Sequence, residues 1–144
     1  MPRPFKVALS NVKALTDVPV LLPSILPSEF SSAIHYANGT GDKSSYEIDL
    51  YFEEGIGDAG FAGYFSGELT DKALVVGHRV ALDHKITGYF IASRCGGSCS
   101  PSQIEWNVHG ARYTAQLRLN VKDVNLQRET MIRIANSAID AGPR

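Results

Sequence analysis

Cysteine is scarce in this chain, with two in 144 residues, and no apolar stretch approaches the roughly 18 residues needed to cross a bilayer as a helix. Its most apolar run, Val18 to Leu22, is interrupted by Pro19 and closed by Pro23, so no membrane span is expected. An excess of one charge is also missing. Lys and Arg number 14 against 15 Asp and Glu, for a formal net charge of -1. That balance creates no long-range field for nucleic acid or anionic lipid, and no basic run supplies a local one. Nucleic acid is therefore not an expected partner. Specific catalytic signatures are lacking too: there is no G-x-S-x-G elbow, no H-E-x-x-H and no paired-histidine metal motif. No catalytic residue, metal site or cofactor is assigned from the sequence.

What is present reads as one globular domain over residues 1–144. Hydrophobic residues make up 44% and charged residues 20%, a composition that supports a real core at this length. Residues 1–17 form an N-terminal segment or short helix, with apolar side chains at Ala8, Leu9, Val12 and Leu15 near helical spacing. The body over 18–119 is β-rich. Tyr46 to Glu53 alternates cleanly, with Tyr46, Ile48, Leu50 and Phe52 on one face and Glu47, Asp49, Tyr51 and Glu53 on the other. Further strands are expected at 34–37, 61–67, 74–82, 86–92, 103–108 and 111–119, with turns over Asn38–Lys43, Asp83–Lys85 and His109–Gly110. A C-terminal helix over 126–140 is capped by Asp123 or Asn125, and Met131, Ile134, Ala135, Ala138 and Ile139 make its apolar stripe. The expected fold class is α+β: a curved, mostly antiparallel sheet of about six or seven strands, a C-terminal helix packed on it and a short N-terminal helix.

Cys95-Gly-Gly-Ser-Cys99 is a tight pair whose glycines ease a turn. A structural disulfide is the favoured reading, ahead of free thiols, and a metal or redox role ranks last. The redox C-x-x-C spacing is absent, and structural zinc wants four ligands. A persistent disulfide implies an oxidising compartment.

Other candidates have plainer explanations. Gly39-Thr40-Gly41-Asp42-Lys43-Ser44 departs from a phosphate loop because Asp42 stands where glycine is required. Asn38-Gly39-Thr40 is a formal glycosylation sequon. Glu47, Asp49, Glu53 and Glu54 invite a glycosidase reading, but the polar face of a strand accounts for three of them. His35, His78, His84 and His109 are scattered over turns and strands. Trp106, Tyr89 and Tyr113, with Phe90, form a candidate ligand or partner platform, although their alternation also suits a core.

The C-terminal half resembles a known family. Gly88-Tyr89-Phe90, the Cys95–Cys99 loop, the W-x-x-x-G-x-x-Y hairpin from Trp106 to Tyr113, and the I-A-x-S helix at Ile134 to Ser137 resemble DUF4367-type bacterial extracytoplasmic domains. Pro19 to Pro27 also looks like the P-x-L-L-P-x-x-L-P lead of such domains. These are loosely related in architecture to periplasmic lipoprotein-carrier and sigma-regulator folds. The resemblance implies a periplasmic or secreted location, with a leader peptide not included in the sequence, and a curved sheet with a helix against it. It transfers no catalytic residue. The expected function is a non-enzymatic binding or protein-interaction domain whose partner is a protein or a small hydrophobic ligand. The alternatives are a small inhibitor or immunity protein against a secreted enzyme, and a hydrolase.

Overall fold

Period-two alternation builds most of the structure, and two amphipathic helices close one side of it. The computed structural model describes residues 3–52, 60–73 and 76–144. In chain order these form α1 (Arg3–Leu15), α2 (Ser28–Ala33), β1 (Tyr36–Asp42), β2 (Ser45–Tyr51), β3 (Phe61–Leu69), β4 (His78–Ala81), β5 (Thr87–Ile91), β6 (Arg94–Cys95), β7 (Cys99–Ser100), β8 (Ser102–Val108), β9 (Ala111–Leu117) and α3 (Val124–Ala141). Seven strands make one antiparallel sheet in the order β1-β2-β3-β9-β8-β5-β4, and β6 pairs with β7 as a separate ribbon. The fold is α+β, as expected. Among the described residues no helix is long and apolar enough to cross a membrane.

The inward positions of the strands are the apolar ones. Tyr46, Ile48 and Leu50 of β2, Phe65 of β3, Phe90 of β5, Ile104 and Trp106 of β8, and Tyr113, Ala115 and Leu117 of β9 are all buried. Phe5, Ala8 and Val12 of α1 cover one part of this face, and Phe5 meets Phe65 at 6.0 Å between ring centroids. Met131, Ile134, Ala135 and Ala138 of α3 cover another, with the helix packed on β8. The proline-rich lead lies between them, where Val18, Val20, Leu21 and Leu22 are buried. Inner-face tyrosines pin it: Tyr113 donates to Pro19 O at 2.8 Å, and Tyr46 Oη both accepts from Leu21 N and donates to Leu21 O.

α1 falls within the expected 1–17, and α3 runs past both ends of the expected 126–140. Pro4 sits in α1 near its N-terminal end, where a missing N–H is harmless. α3 starts at Val124, with Asp123 accepting from Leu126 N at 3.0 Å, and ends at Gly142, whose φ of 71° and N–H close the last turn. The His109–Gly110 turn has positive φ at both residues, 52° and 75°, as a two-residue hairpin turn requires.

Several expectations are corrected. Asn38–Lys43 is not a turn, because β1 continues to Asp42 and reverses only at Lys43–Ser44, where Asp42 Oδ1 accepts from Ser44 N at 2.9 Å. The glycines that suggested a turn serve packing instead. A Cβ on Gly39 would lie 2.6 Å from Ala8 O and 2.8 Å from Val12 Cγ1, so α1 crosses β1 at a distance only glycine allows. Strand β2 ends at Tyr51, short of the expected Glu53, which lies outside the described residues with Glu54. β4 holds only His78–Ala81 of the expected 74–82, and Leu74 and Val75 are likewise outside the described residues.

Cys95 and Cys99 are disulfide-bonded, and both are exposed. The bond closes a very short loop, so little chain entropy is removed from the unfolded state. The loop-closure relation gives about 2 kcal/mol for so short a ring. Replacing both cysteines with serine is therefore expected to cost no more than about 2 kcal/mol in urea unfolding. A larger loss would mean that the ribbon supports the core.

Candidate functional site

With the inner face covered, the other face of the sheet meets solvent. The strand register assembles it into cross-strand rows, which no local sequence pattern displays. One row runs Glu47, Ser66, Thr114, Glu105, Tyr89, Arg79, from β2 through β3, β9, β8 and β5 to β4. The neighbouring row places Asp49 opposite Tyr64, which in turn faces Gln116. Glu47, Tyr64, Ser66, Glu105, Arg112 and Thr114 line a concavity of about 340 Å³ on this face.

Carboxylates dominate its charge. Glu47 reaches solvent, yet the surface around it displaces enough water to push its carboxyl up to about 7 from an ordinary 4.5. A hydrogen bond and like charge from Asp49 add to that shift. Tyr64 is raised as well, by burial first and then by the charges of Glu47, Glu105 and Asp49. Thr114 Oγ1 donates to Glu105 Oε1 at 3.3 Å, and Gln116 Nε2 donates to Gln103 Oε1 at 3.4 Å, so these acceptors are held in place. The one cation among the lining residues is already engaged. Arg112 pairs with Glu68 at 3.8 Å and donates to Lys72 O at 3.0 Å, where Asn107 Nδ2 also donates at 3.1 Å. The face thus offers negative charge and fixed acceptors to a cation from outside.

The three aromatic residues singled out from sequence do not form one platform. Trp106 faces Tyr113 across the β8–β9 pair on the inner side, and the rings stack at 5.8 Å and 25°. Each is only 3% exposed. Burial pushes the Tyr113 hydroxyl up to about 12. Tyr89 points to the opposite side, across from Glu105, and belongs to the open face. Tyr113 does border an apolar groove of about 480 Å³ with Pro19, Leu21, Ile86, Val108 and Ile139, at the C-terminal end of α3.

The histidines are not gathered. His35, His78 and His109 are exposed at separate places, and His84 Nε2 lies 2.9 Å from Asp140 Oδ1 at the surface. Among the described residues no group of three or more His, Cys, Asp or Glu could hold a metal.

Sequence reasoning found Glu47 and Asp49 but assigned them to an ordinary solvated face. It missed Tyr64, Glu105 and Thr114. The His109–Gly110 turn could have aligned Glu105 with Thr114, because a two-residue turn sets hairpin register. Compared with protein-family models, curated proteins and solved structures, the chain matches none.

Proposed function

We propose that this chain is a non-enzymatic, extracytoplasmic protein-interaction domain whose open sheet face receives a lysine- or arginine-bearing segment of a partner. The observation that carries this reading is one-sided coverage: helices and the proline-rich lead seal one face, and the other presents Glu47 and Asp49 on β2 and Glu105 on β8 around a concavity whose one lining cation, Arg112, is paired with Glu68, while Arg79 lies at the far end of the row on β4. A near-neutral protein that concentrates acid on one rigid face selects basic partners through charge complementarity. The disulfide suits an oxidising compartment. Kinship with DUF4367-type exported domains belongs to the same proposal. Its support is that the residues of the resemblance, Trp106, Tyr113, Ile134 and Ala135, are buried where hairpin and helix close the core.

Glu47 makes the interaction proton-linked. Its folded value is raised, so its stabilising contribution is full below about 4.5 and is lost as pH rises through about 7. A bound cation favours the ionised form and offsets that loss. Between pH 6 and pH 8 the ionised fraction of a group titrating near 7 goes from about one tenth to about nine tenths. Calorimetric titration with an arginine-rich peptide at low salt should therefore show affinity rising by up to about tenfold over that interval. The Glu47→Lys/Glu105→Lys variant should lose binding and its pH dependence. Equal affinity in wild type and variant would refute the reading.

A further inference from the structure

Residues 93–100 are exposed without a break, and none contributes to the core. Within them β6 and β7 set Cys95 directly opposite Cys99, joined as a cystine. A Cβ added at Gly96 or Gly97 would meet no atom within 4 Å, so the turn side of the cystine is open to approach. The root of this ribbon is held by other means. Buried Gln127 of α3 accepts from Ser93 N at 3.0 Å and donates to Ser93 Oγ and Val121 O, both at 2.7 Å. The ribbon therefore stays attached whether or not the two sulfurs are bonded.

Beside it lies a groove of about 530 Å³ walled by Val76, Phe90, Ile91 and Val124, with Arg94 and Arg128 on its polar side. Val76 and Val124 are 63% and 51% exposed, which leaves an apolar surface next to the ribbon. Arg94 directly precedes Cys95 on β6 and lines the groove. Arg128 also donates to Asn125 Oδ1 at 2.7 Å.

We infer that the Cys95–Cys99 cystine exchanges with a dithiol carried on an apolar segment of another protein, seated in this groove. The partner's thiolate attacks Sγ of Cys99, forms a mixed disulfide and releases Cys95 as a thiolate. The partner's second thiolate then attacks its own sulfur in the mixed disulfide. The partner's cystine forms, and Cys99 leaves as a thiolate. Two electrons pass from the partner's dithiol to this cystine, and the partner's two thiol protons end on Cys95 and Cys99. This activity uses a different surface from the acidic face and does not depend on it.

The test uses the oxidised protein and two reduced dithiol peptides, one with leucines flanking its cysteines and one with glycines. Acid-quenched thiol counting follows the rate. The leucine peptide should react about tenfold faster, the effect of about one to two side chains docking in an apolar groove. Reduced wild-type protein should keep its far-UV circular dichroism, and the Cys95→Ser variant should trap a mixed disulfide between Cys99 and an oxidised peptide. Equal rates for the two peptides, or unfolding on reduction, would overturn the inference.

Discussion

Replacing Gly63 with alanine is expected to destabilise the fold by about 4 kcal/mol. Gly63 has a φ of +141°, a region that side-chain-bearing residues rarely enter. A Cβ there would clash with the carbonyl oxygen of Gln116 and lie 2.9 Å from Leu117 Cα. Both obstacles are backbone of β9. Neither strand can retreat, because β3 is held between β2 and β9, and β9 between β3 and β8. Backbone strain of about 1–3 kcal/mol and a comparable steric term add at one position. Against a total stability of about 5–15 kcal/mol, that is enough to leave a measurable unfolded fraction. The change also falls next to the irregularity at Leu50/Tyr51, where β2 and β3 shift register. Gly97→Ala is the control. It sits in open space on the cystine ribbon and should change stability by less than about 0.5 kcal/mol. Urea unfolding followed by far-UV circular dichroism measures both. Similar values for the two variants would show that β3 and β9 do not pack at this distance.

The second large effect belongs to the sole tryptophan. Trp106→Ala should cost about 3–5 kcal/mol, because a large side chain is removed from a site that is closed on all sides. Trp106→Phe should cost only about 1 kcal/mol. The reason for the difference is specific. The indole N–H of Trp106 is buried with no acceptor, so phenylalanine removes an unsatisfied donor along with part of the ring. The stack on Tyr113 would survive with a smaller partner. If Trp106→Phe proved as costly as Trp106→Ala, the N–H would have to be satisfied in solution, by water for example. Both effects act on the core, so they also show why Trp106 does not serve as an exposed ligand platform.

These two residues illustrate what the sequence made legible. Local periodicity was enough to find β2, the β8–β9 hairpin and α3, because alternation at Tyr46–Leu50 and the stripe at Met131–Ala138 each lie within one element. The Cys95–Cys99 bond was legible for the same reason, since four positions and two glycines bring the sulfurs together. Gly39 misled, because a glycine that accommodates a crossing helix looks the same in sequence as a glycine that makes a turn. The open face was not legible as a unit. Glu47, Ser66, Thr114 and Glu105 come from four strands, and pairing of β3 with β9 joins segments far apart in the chain. Tyr89 was grouped with Trp106 and Tyr113 because all three are aromatic and lie on strands. Register then placed it on the other side, opposite Glu105 rather than Trp106.

The most direct test of the account is an amide chemical-shift map of the isotopically labelled protein, recorded while an arginine-rich peptide is added at pH 8. The account predicts shifts concentrated on the outward residues of the central strands, Glu47, Tyr64, Ser66, Glu105 and Thr114, which fade as the pH is lowered to 6. Shifts spread over the helices or the groove beside Tyr113, or no shifts at all, would contradict it.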